Sequence, residues 1–191
     1  DSILTSDTGG TTRLSQFSDL SWKDSYDSSD KDQWLERRQM HQYSYAEPIP
    51  VLTYFKKLNM FRGVVMVNIY EEQLKQLINE KYFNTETGVY ANGTQTAQAI
   101  ALYMDIVPAG KEQLVAEQLH KAVTGNNYFL NFGLLGSKTV PAMLTKFGYV
   151  EDAYKMITKT EAPSWGYWVE TKGYTTLAET WLLSPEFHDA S

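Results

Sequence analysis

Residues 137–163, SKTVPAMLTKFGYVEDAYKMITKTEAP, contain two helical patterns separated by a single glycine. In each half, apolar residues recur at the spacing of one face of a helix. Gly148 follows the first pattern and Pro163 follows the second, and both residue types commonly end helices. The stretch therefore predicts two helices, at 137–147 and 150–159, packed as an antiparallel hairpin. The predicted packing residues are Val140, Met143, Leu144 and Phe147 in the first helix and Val150, Ala153, Tyr154 and Ile157 in the second.

The same periodicity extends upstream and downstream of this hairpin. It predicts helices at 70–81, 94–104 and 110–123, a turn at 84–88 (NTETG), and a further short helix at 176–183. Because short helices alternate with short loops, neighbouring helices are expected to pack as antiparallel hairpins. The pattern therefore predicts an all-α fold.

The N-terminal third has a different composition. Residues 1–34 are rich in Ser and hold seven Asp against three basic residues, which is typical of a solvated, loosely ordered arm. Residues 46–50 (AEPIP) should break any helix, and the apolar residues after them, at 52, 55 and 58, return to helical spacing. Residues 63–67 (GVVMV) fit either a buried strand or a helix segment. We therefore predict an acidic arm with an unassigned segment over 1–68 and a helical-hairpin part over 69–191.

Composition excludes several classes of function. The net charge of −6 disfavours nucleic acid or an anionic membrane as a partner, because both favour basic surfaces. The chain has no apolar run near the ~20 residues of a membrane helix. It has no Cys, which excludes thiolate metal sites, and its three His are far apart, which disfavours a zinc site. It begins with Asp and shows no leader pattern, so we expect an excised or processed segment.

Residues 162–181, APSWGYWVETKGYTTLAETW, concentrate aromatic rings and carboxylates. Thr176 and Glu179 fit a capping box at a helix start, and the rings fit an aromatic core. The same residues also fit a sugar site, in which rings stack on a pyranose and a carboxylate takes part in hydrolysis. The residues alone leave both interpretations open.

Five motifs occur in order in the second half of the chain. They are FNTETGVYANGTQTAQAIALYMDIVP (83–108), FGLLGSKTVPAMLTKFG (132–148), GYVEDAY (148–154), PSWGYW (163–168) and GYTTLAETW (173–181). As an ordered set they resemble the second half of the catalytic domain of α-L-rhamnosidases, which are inverting glycosidases. The resemblance covers residues 83–191. It implies an (α/α)6 six-hairpin barrel, of which this chain would hold about half.

The resemblance also implies a site. Glu179 matches the general base of the family, and Trp165 matches a ring that contacts the sugar. Trp168, Trp181 and Tyr128 are further candidates for binding the substrate, a rhamnose-containing oligosaccharide or glycoside. The implied chemistry needs no metal or organic cofactor, and analogy favours a periplasmic or extracellular bacterial location.

The general acid of the family lies in the first half of its barrel, and no motif in residues 1–68 matches it. The rest of a parent catalytic domain is therefore an expected partner. Two alternatives remain: a truncated, inactive helical fragment that binds carbohydrate or another partner, or a different helical-barrel sugar enzyme such as a glucuronyl hydrolase or an isomerase.

Overall fold

The computed structural model describes residues 2–4, 11–13, 19–28, 31–41, 47–58 and 63–176. The chain forms two compact units, residues 1–76 and 77–191. The division after residue 68 stays a prediction. Within the described ranges, every helix is too short or too polar to cross a membrane.

The first unit is mainly β-structure. Strand β5 is the centre of its larger sheet, with β3 and β4 paired along one edge and β6 along the other, all antiparallel. A separate two-stranded ladder pairs β1 with β2. The elements are β1 (Ser2–Leu4), β2 (Thr11–Arg13), α1 (Lys23–Ser28), β3 (Gln33–Trp34), β4 (Arg38–Met40), β5 (Ile49–Leu58) and β6 (Gly63–Tyr70).

The all-α prediction is wrong for this unit. Residues 52, 55 and 58 have helical spacing, but β5 buries Val51, Thr53 and Phe55, which alternate along a strand. Val51 and Thr53 are β-branched and Phe55 is aromatic, and such residues suit a half-buried strand. β5 also pairs with β6 along eight residues, from Val51↔Tyr70 to Leu58↔Gly63. This long-range pairing outweighs the local spacing, and the ambiguous 63–67 segment is a strand.

The prediction of a loosely ordered acidic arm is wrong for residues 19–28. Trp22 and Asp19 are each only 3% exposed, beside the buried face of the sheet that contains Phe55. The indole N–H of Trp22 donates to the main-chain oxygen of Asp19 at 2.7 Å, and the Asp19 carboxylate pairs with Arg38. A buried carboxylate needs such a partner, and the partner lies about twenty residues downstream.

In its described residues, 77–176, the second unit consists of helices and one short hairpin. All the helices predicted between 70 and 159 are confirmed, with their ends shifted by up to three residues. The predicted turn at 84–88 joins β7 to β8, and Gly88 adopts a φ of +76° there. Helix α2 (Glu71–Tyr82) begins in the residues of the first unit and ends in those of the second. The elements that follow it are β7 (Phe83–Asn84), β8 (Val89–Tyr90), α3 (Gln95–Tyr103), α4 (Glu112–Thr124), α5 (Leu134–Lys146) and α6 (Val150–Thr158), and then a π-helical segment, Tyr167–Thr171.

Helix α3 packs against α4 and α5, and α5 packs against α6, around one core that includes Leu119, Val140 and Leu144. This arrangement of neighbouring helices agrees with part of a helical-hairpin barrel.

The packing face predicted for α6 is largely wrong. Val150, Tyr154 and Ile157 are exposed, whereas Asp152, Ala153 and Met156 are buried. The position of Asp152 explains the difference, because its Oδ2 lies 2.5 Å from Nδ1 of His120 on α4. A polar residue can therefore occupy the buried face, and the pattern of apolar residues alone cannot locate that face.

Candidate substrate site

The loop between α4 and α5, residues 125–133, carries the first ring-bearing part of the candidate site. Its main chain turns through two residues with positive φ, Asn127 at 49° and Tyr128 at 61°. From inside the protein, the buried carboxamide of Gln95 holds the loop: its Nε2 donates to the oxygen of Phe129 at 3.1 Å, and its Oε1 accepts from the N–H of Asn131 at 3.1 Å. Contacts with α3 therefore help to hold the loop, together with main-chain bonds from Asn127 and Tyr128 to the end of α4.

The second part of the site is the PSWG motif, residues 163–166. The hydroxyl of Ser164 accepts from the N–H of Tyr167 at 3.0 Å and thereby caps the helical turn that follows. Gly166 lies against the main chain at the end of α6, where a Cβ atom would stand 2.4 Å from the oxygen of Lys159. These contacts explain the Ser and the Gly of the motif as structural requirements.

The two parts meet through one hydrogen bond and one ring contact. The N–H of Leu130 donates to the oxygen of Pro163 at 3.2 Å. The rings of Phe132 and Trp165 lie 6.0 Å apart with their planes at 55°, a tilted aromatic contact. Phe132 is buried, whereas Trp165 is only half-buried and stays partly exposed to solvent.

Two lysines of the α6 region lie over rings of the loop. Lys155 Nζ stands 5.0 Å from the ring centre of Tyr128, and Lys159 Nζ stands 4.2 Å from that of Phe129, both within the range of cation–π attraction. Lys159 also pairs with Glu161 at 3.4 Å. Two contacts lower the pKa of the Glu161 carboxyl: first a hydrogen bond from the main-chain N–H of Glu161, and second the Lys159 ammonium. Glu161 is therefore ionised at neutral pH and is a poor proton donor.

The predicted site residues have different surroundings. Trp165 and Tyr128 are half-buried beside the core, and their contact with the substrate stays a prediction. Trp168 is 2% exposed, so its ring is enclosed in this structure, and its predicted contact with the substrate stays a prediction. Glu179 and Trp181 lie outside the described residues, and so does most of the predicted helix at 176–183.

The sequence patterns did not indicate two residues of this region. Phe132 is the ring partner of Trp165, and Gln95 is the buried support of the loop. Gln95 lies four residues before Ala99 and seven before Leu102, both of which are buried. A polar residue in line with a buried helix face is the signal that could have identified it. In the described ranges, no group of three or more His, Asp or Glu is arranged to hold a metal ion.

Residues 68–189 match the family described as the bacterial α-L-rhamnosidase six-hairpin glycosidase domain. The α-L-rhamnosidase of Streptomyces avermitilis is 32% identical over 94 residues, which are 49% of this chain and 9% of that protein. The α-L-rhamnosidase of Alteromonas sp. is 26% identical over 112 residues, which are 58% of this chain and 12% of that protein. The chain thus spans about a tenth of the length of these relatives.

Solved structures give the same result. A native α-L-rhamnosidase from Aspergillus terreus matches with a TM-score of 0.53 and 33% identity, over 60% of this chain and 13% of that one. The Streptomyces avermitilis α-L-rhamnosidase complexed with L-rhamnose matches with a TM-score of 0.55 and 28% identity, over 60% of this chain and 11% of that one. Since the matched domain extends over more than half of the sequence, this chain belongs to the bacterial α-L-rhamnosidase family, within its six-hairpin glycosidase domain.

Proposed function

We propose that this chain forms part of an α-L-rhamnosidase, which hydrolyses terminal α-L-rhamnosyl residues with inversion. The observation that supports this proposal most strongly is the family match over 68–189, which includes both ring-bearing segments of the candidate site. One relative is a rhamnosidase solved in complex with L-rhamnose, which supports a rhamnose-containing glycoside or oligosaccharide as the substrate.

In this proposal Glu179 is the general base. An inverting glycosidase holds an ionised and a protonated carboxyl roughly 6.5–9.5 Å apart, which leaves room for a water molecule on one face of the sugar. The base takes a proton from that water as it attacks the anomeric carbon, while the acid protonates the departing oxygen. The half-buried rings of Trp165 and Tyr128 would hold the sugar by contact with its apolar C–H face.

The general acid is proposed to come from a part of the catalytic domain outside this chain. No motif in residues 1–68 matches the acid segment of the family, and the carboxylate of Asp19 is already engaged by Arg38. The rest of the catalytic domain is therefore the partner that this site requires.

The test uses a rhamnosidase that contains this segment and the substrate 4-nitrophenyl α-L-rhamnoside, whose leaving group needs little protonation. Glu179→Gln is expected to lower kcat by about 10²–10⁴-fold, the usual contribution of a positioned base. Added azide should partly restore turnover of Glu179→Ala, with inverted product. Glu170→Gln is the matched control, because Glu170 is an exposed carboxylate of the same region. Undiminished turnover by Glu179→Gln would refute the assignment of the base.

A further inference from the structure

We propose that Gln95 is a positioning residue, whose carboxamide fixes the loop that bears the rings of the candidate sugar site. Gln95 is the first residue of α3 and is 2% exposed. It does not reach the surface, so any effect on the sugar must act through the loop. Only the sugar-binding consequence of this inference depends on the proposed function.

The carboxamide of Gln95 uses both of its ends on main-chain groups. Its Nε2 donates to the oxygen of Phe129 at 3.1 Å and approaches the oxygen of Ala122 at 3.4 Å, and its Oε1 accepts from the N–H of Asn131 at 3.1 Å. One side chain therefore links the last turn of α4 to the loop segment 129–131, which leads to Phe132. Without the carboxamide, the Phe129 oxygen would keep its bond from Nδ2 of Asn126 at 2.9 Å, so the main loss would fall on the partly buried N–H of Asn131.

The first turn of α3 also lies close to the start of α5, just after the end of the same segment. The position of a Cβ on Gly136 lies 2.2 Å from Cβ of Phe132 and 2.9 Å from Oγ1 of Thr96, the residue after Gln95. Phe132 thus lies between the loop segment that Gln95 bonds to and the backbone of α5 at Gly136, where there is no side chain. The ring of Phe132 contacts Trp165, the ring predicted to contact the sugar. By fixing the loop that leads to Phe132, Gln95 therefore influences where Trp165 lies.

A second buried glutamine on the same helix provides a comparison. Gln98 is 1% exposed, and its Oε1 accepts from the N–H of Tyr90 at 3.1 Å, in the hairpin before α3. Among the described residues, no hydrogen bond joins Gln98 to residues 125–133, and its Nε2 has no hydrogen-bond partner. Gln98 is therefore the same residue type as Gln95, on the same helix and similarly buried, but it bonds to the hairpin and not to the loop.

The test uses the full 191-residue chain with Gln95→Met and, as matched control, Gln98→Met. Methionine keeps the length of the side chain and removes its hydrogen bonds. Hydrogen exchange should show faster exchange of the Asn131 amide in Gln95→Met, by about tenfold for a local loss of about 1.4 kcal/mol. Gln98→Met should leave that amide unchanged and affect the amide of Tyr90.

L-Rhamnose binding, followed by NMR, provides the second readout. We expect Gln95→Met to raise the Kd about tenfold, as loss of a preorganised loop does, while Gln98→Met keeps the Kd of the unaltered chain. Equal effects of the two variants on the Asn131 amide would overturn the positioning role. If the unaltered chain binds no rhamnose at all, the proposed function fails in this chain, whereas the exchange data still decide the role of Gln95.

Gln95→Glu adds a signature that a merely structural role would not produce. A protonated carboxyl can donate to Phe129 and accept from Asn131 as the carboxamide does, but an ionised one faces main-chain oxygens and cannot donate. Protection of the Asn131 amide and rhamnose binding should therefore approach those of the unaltered chain at low pH and be lost as the introduced carboxyl ionises. If the Asn131 protection and the rhamnose binding of Gln95→Glu, each relative to the unaltered chain, do not change with pH, the proposal is wrong.

Discussion

Single polar side chains determine how buried segments are held in both units. In the first unit, Arg38 donates to Thr53 Oγ1 at 2.8 Å and to Asn68 Oδ1 at 3.0 Å and pairs with Asp19. In the second unit, Asp152 Oδ2 lies 2.5 Å from Nδ1 of His120, whose ring stacks on Tyr149 with centres 4.6 Å apart. Each contact joins segments far apart in the sequence, so each is expected to matter more than an ordinary surface pair.

Arg38→Met should destabilise the first unit by about 3–5 kcal/mol, because it leaves the buried Asp19 carboxylate without a partner. Arg37→Met is the matched control: the Arg37 side chain is 62% exposed, and its pair with Glu71 should contribute at most about 1 kcal/mol. Urea unfolding followed by tryptophan fluorescence measures both losses. Similar losses for the two variants would mean that the buried network contributes little.

Tyr90 predicts a dependence of stability on alkaline pH. Burial raises the pKa of its phenol to about 12, so the neutral form is favoured in the folded chain. Because the folded value is raised above the unfolded one of about 10, this contribution is complete below pH ~10 and is lost as the pH rises through 12. Tyr90→Phe removes the titration but also the bond from the phenol to Asn79 Oδ1.

The free energy of unfolding of Tyr90→Phe should therefore lie about 1 kcal/mol below that of the unaltered chain at neutral pH. The gap should close, or reverse, between pH 10 and 12, because only the unaltered chain loses the contribution of the Tyr90 phenol there. Chemical unfolding at a series of pH values measures both curves. Parallel curves across that interval would contradict the assignment to Tyr90.

At the scale of elements, glycines allow two close approaches that build the site. Gly136 lets the start of α5 lie on Phe132, and Gly166 lets the PSWG turn lie on the end of α6. Elsewhere α5 is an ordinary helix that tolerates an internal proline, Pro141. The spacing of the glycines in the family motifs therefore reflects contacts between elements as well as the ends of helices.

Gly136→Ala should destabilise the second unit by about 1–3 kcal/mol, because its Cβ would stand 2.2 Å from Cβ of Phe132. Gly133→Ala is the control, since no atom lies within 4 Å of the added methyl and its φ is −96°. Its cost should stay below about 1 kcal/mol, the preference of a helix N-cap for Gly over Ala. Thermal unfolding compares the variants, and an equal shift in Tm for both would refute the close-contact explanation.

At the scale of the whole molecule, the protein combines a β-rich unit with a helical unit that resembles part of a much longer enzyme. The family match begins at residue 68, so most of the first unit lies before it. The relatives are roughly ten times longer than the segment that they share with this chain. Hydrolysis of rhamnosides therefore has to be measured both for this chain alone and for a rhamnosidase that contains this segment.

The 191-residue chain alone is expected to hydrolyse natural rhamnosides slowly, at least about 10²–10⁴-fold below a complete relative, because no general acid is identified in it. Release of L-rhamnose from a natural rhamnoside, compared with release of 4-nitrophenol from the activated substrate, measures the deficit. Ordinary rates on the natural substrate would show that the acid lies within this chain. The search would then turn to the remaining acidic candidates, Asp24, Asp27, Glu36 and Glu47, and to Asp19 if its pair with Arg38 opens.

The sequence by itself determined the family and the helices of the second unit. Helix periodicity and helix stops are local, so a stripe of apolar residues ending at Gly148, which has a φ of +90°, is sufficient to predict α5. The ordered motifs that identify the family are likewise linear features. They also pointed to Trp165, which lies in the candidate site, and to Glu179, which still awaits a test.

Only the tertiary structure decided the strands of the first unit, the buried face of α6 and the role of Gln95. Each depends on a partner distant in sequence: β6 for β5, His120 for Asp152, and the 129–131 main chain for Gln95. Local spacing reports which residues share a face, whereas the free energy of burying a polar group or a strand edge depends on what lies opposite. That opposite group is not encoded in the same stretch of chain, and it becomes visible only in the folded protein.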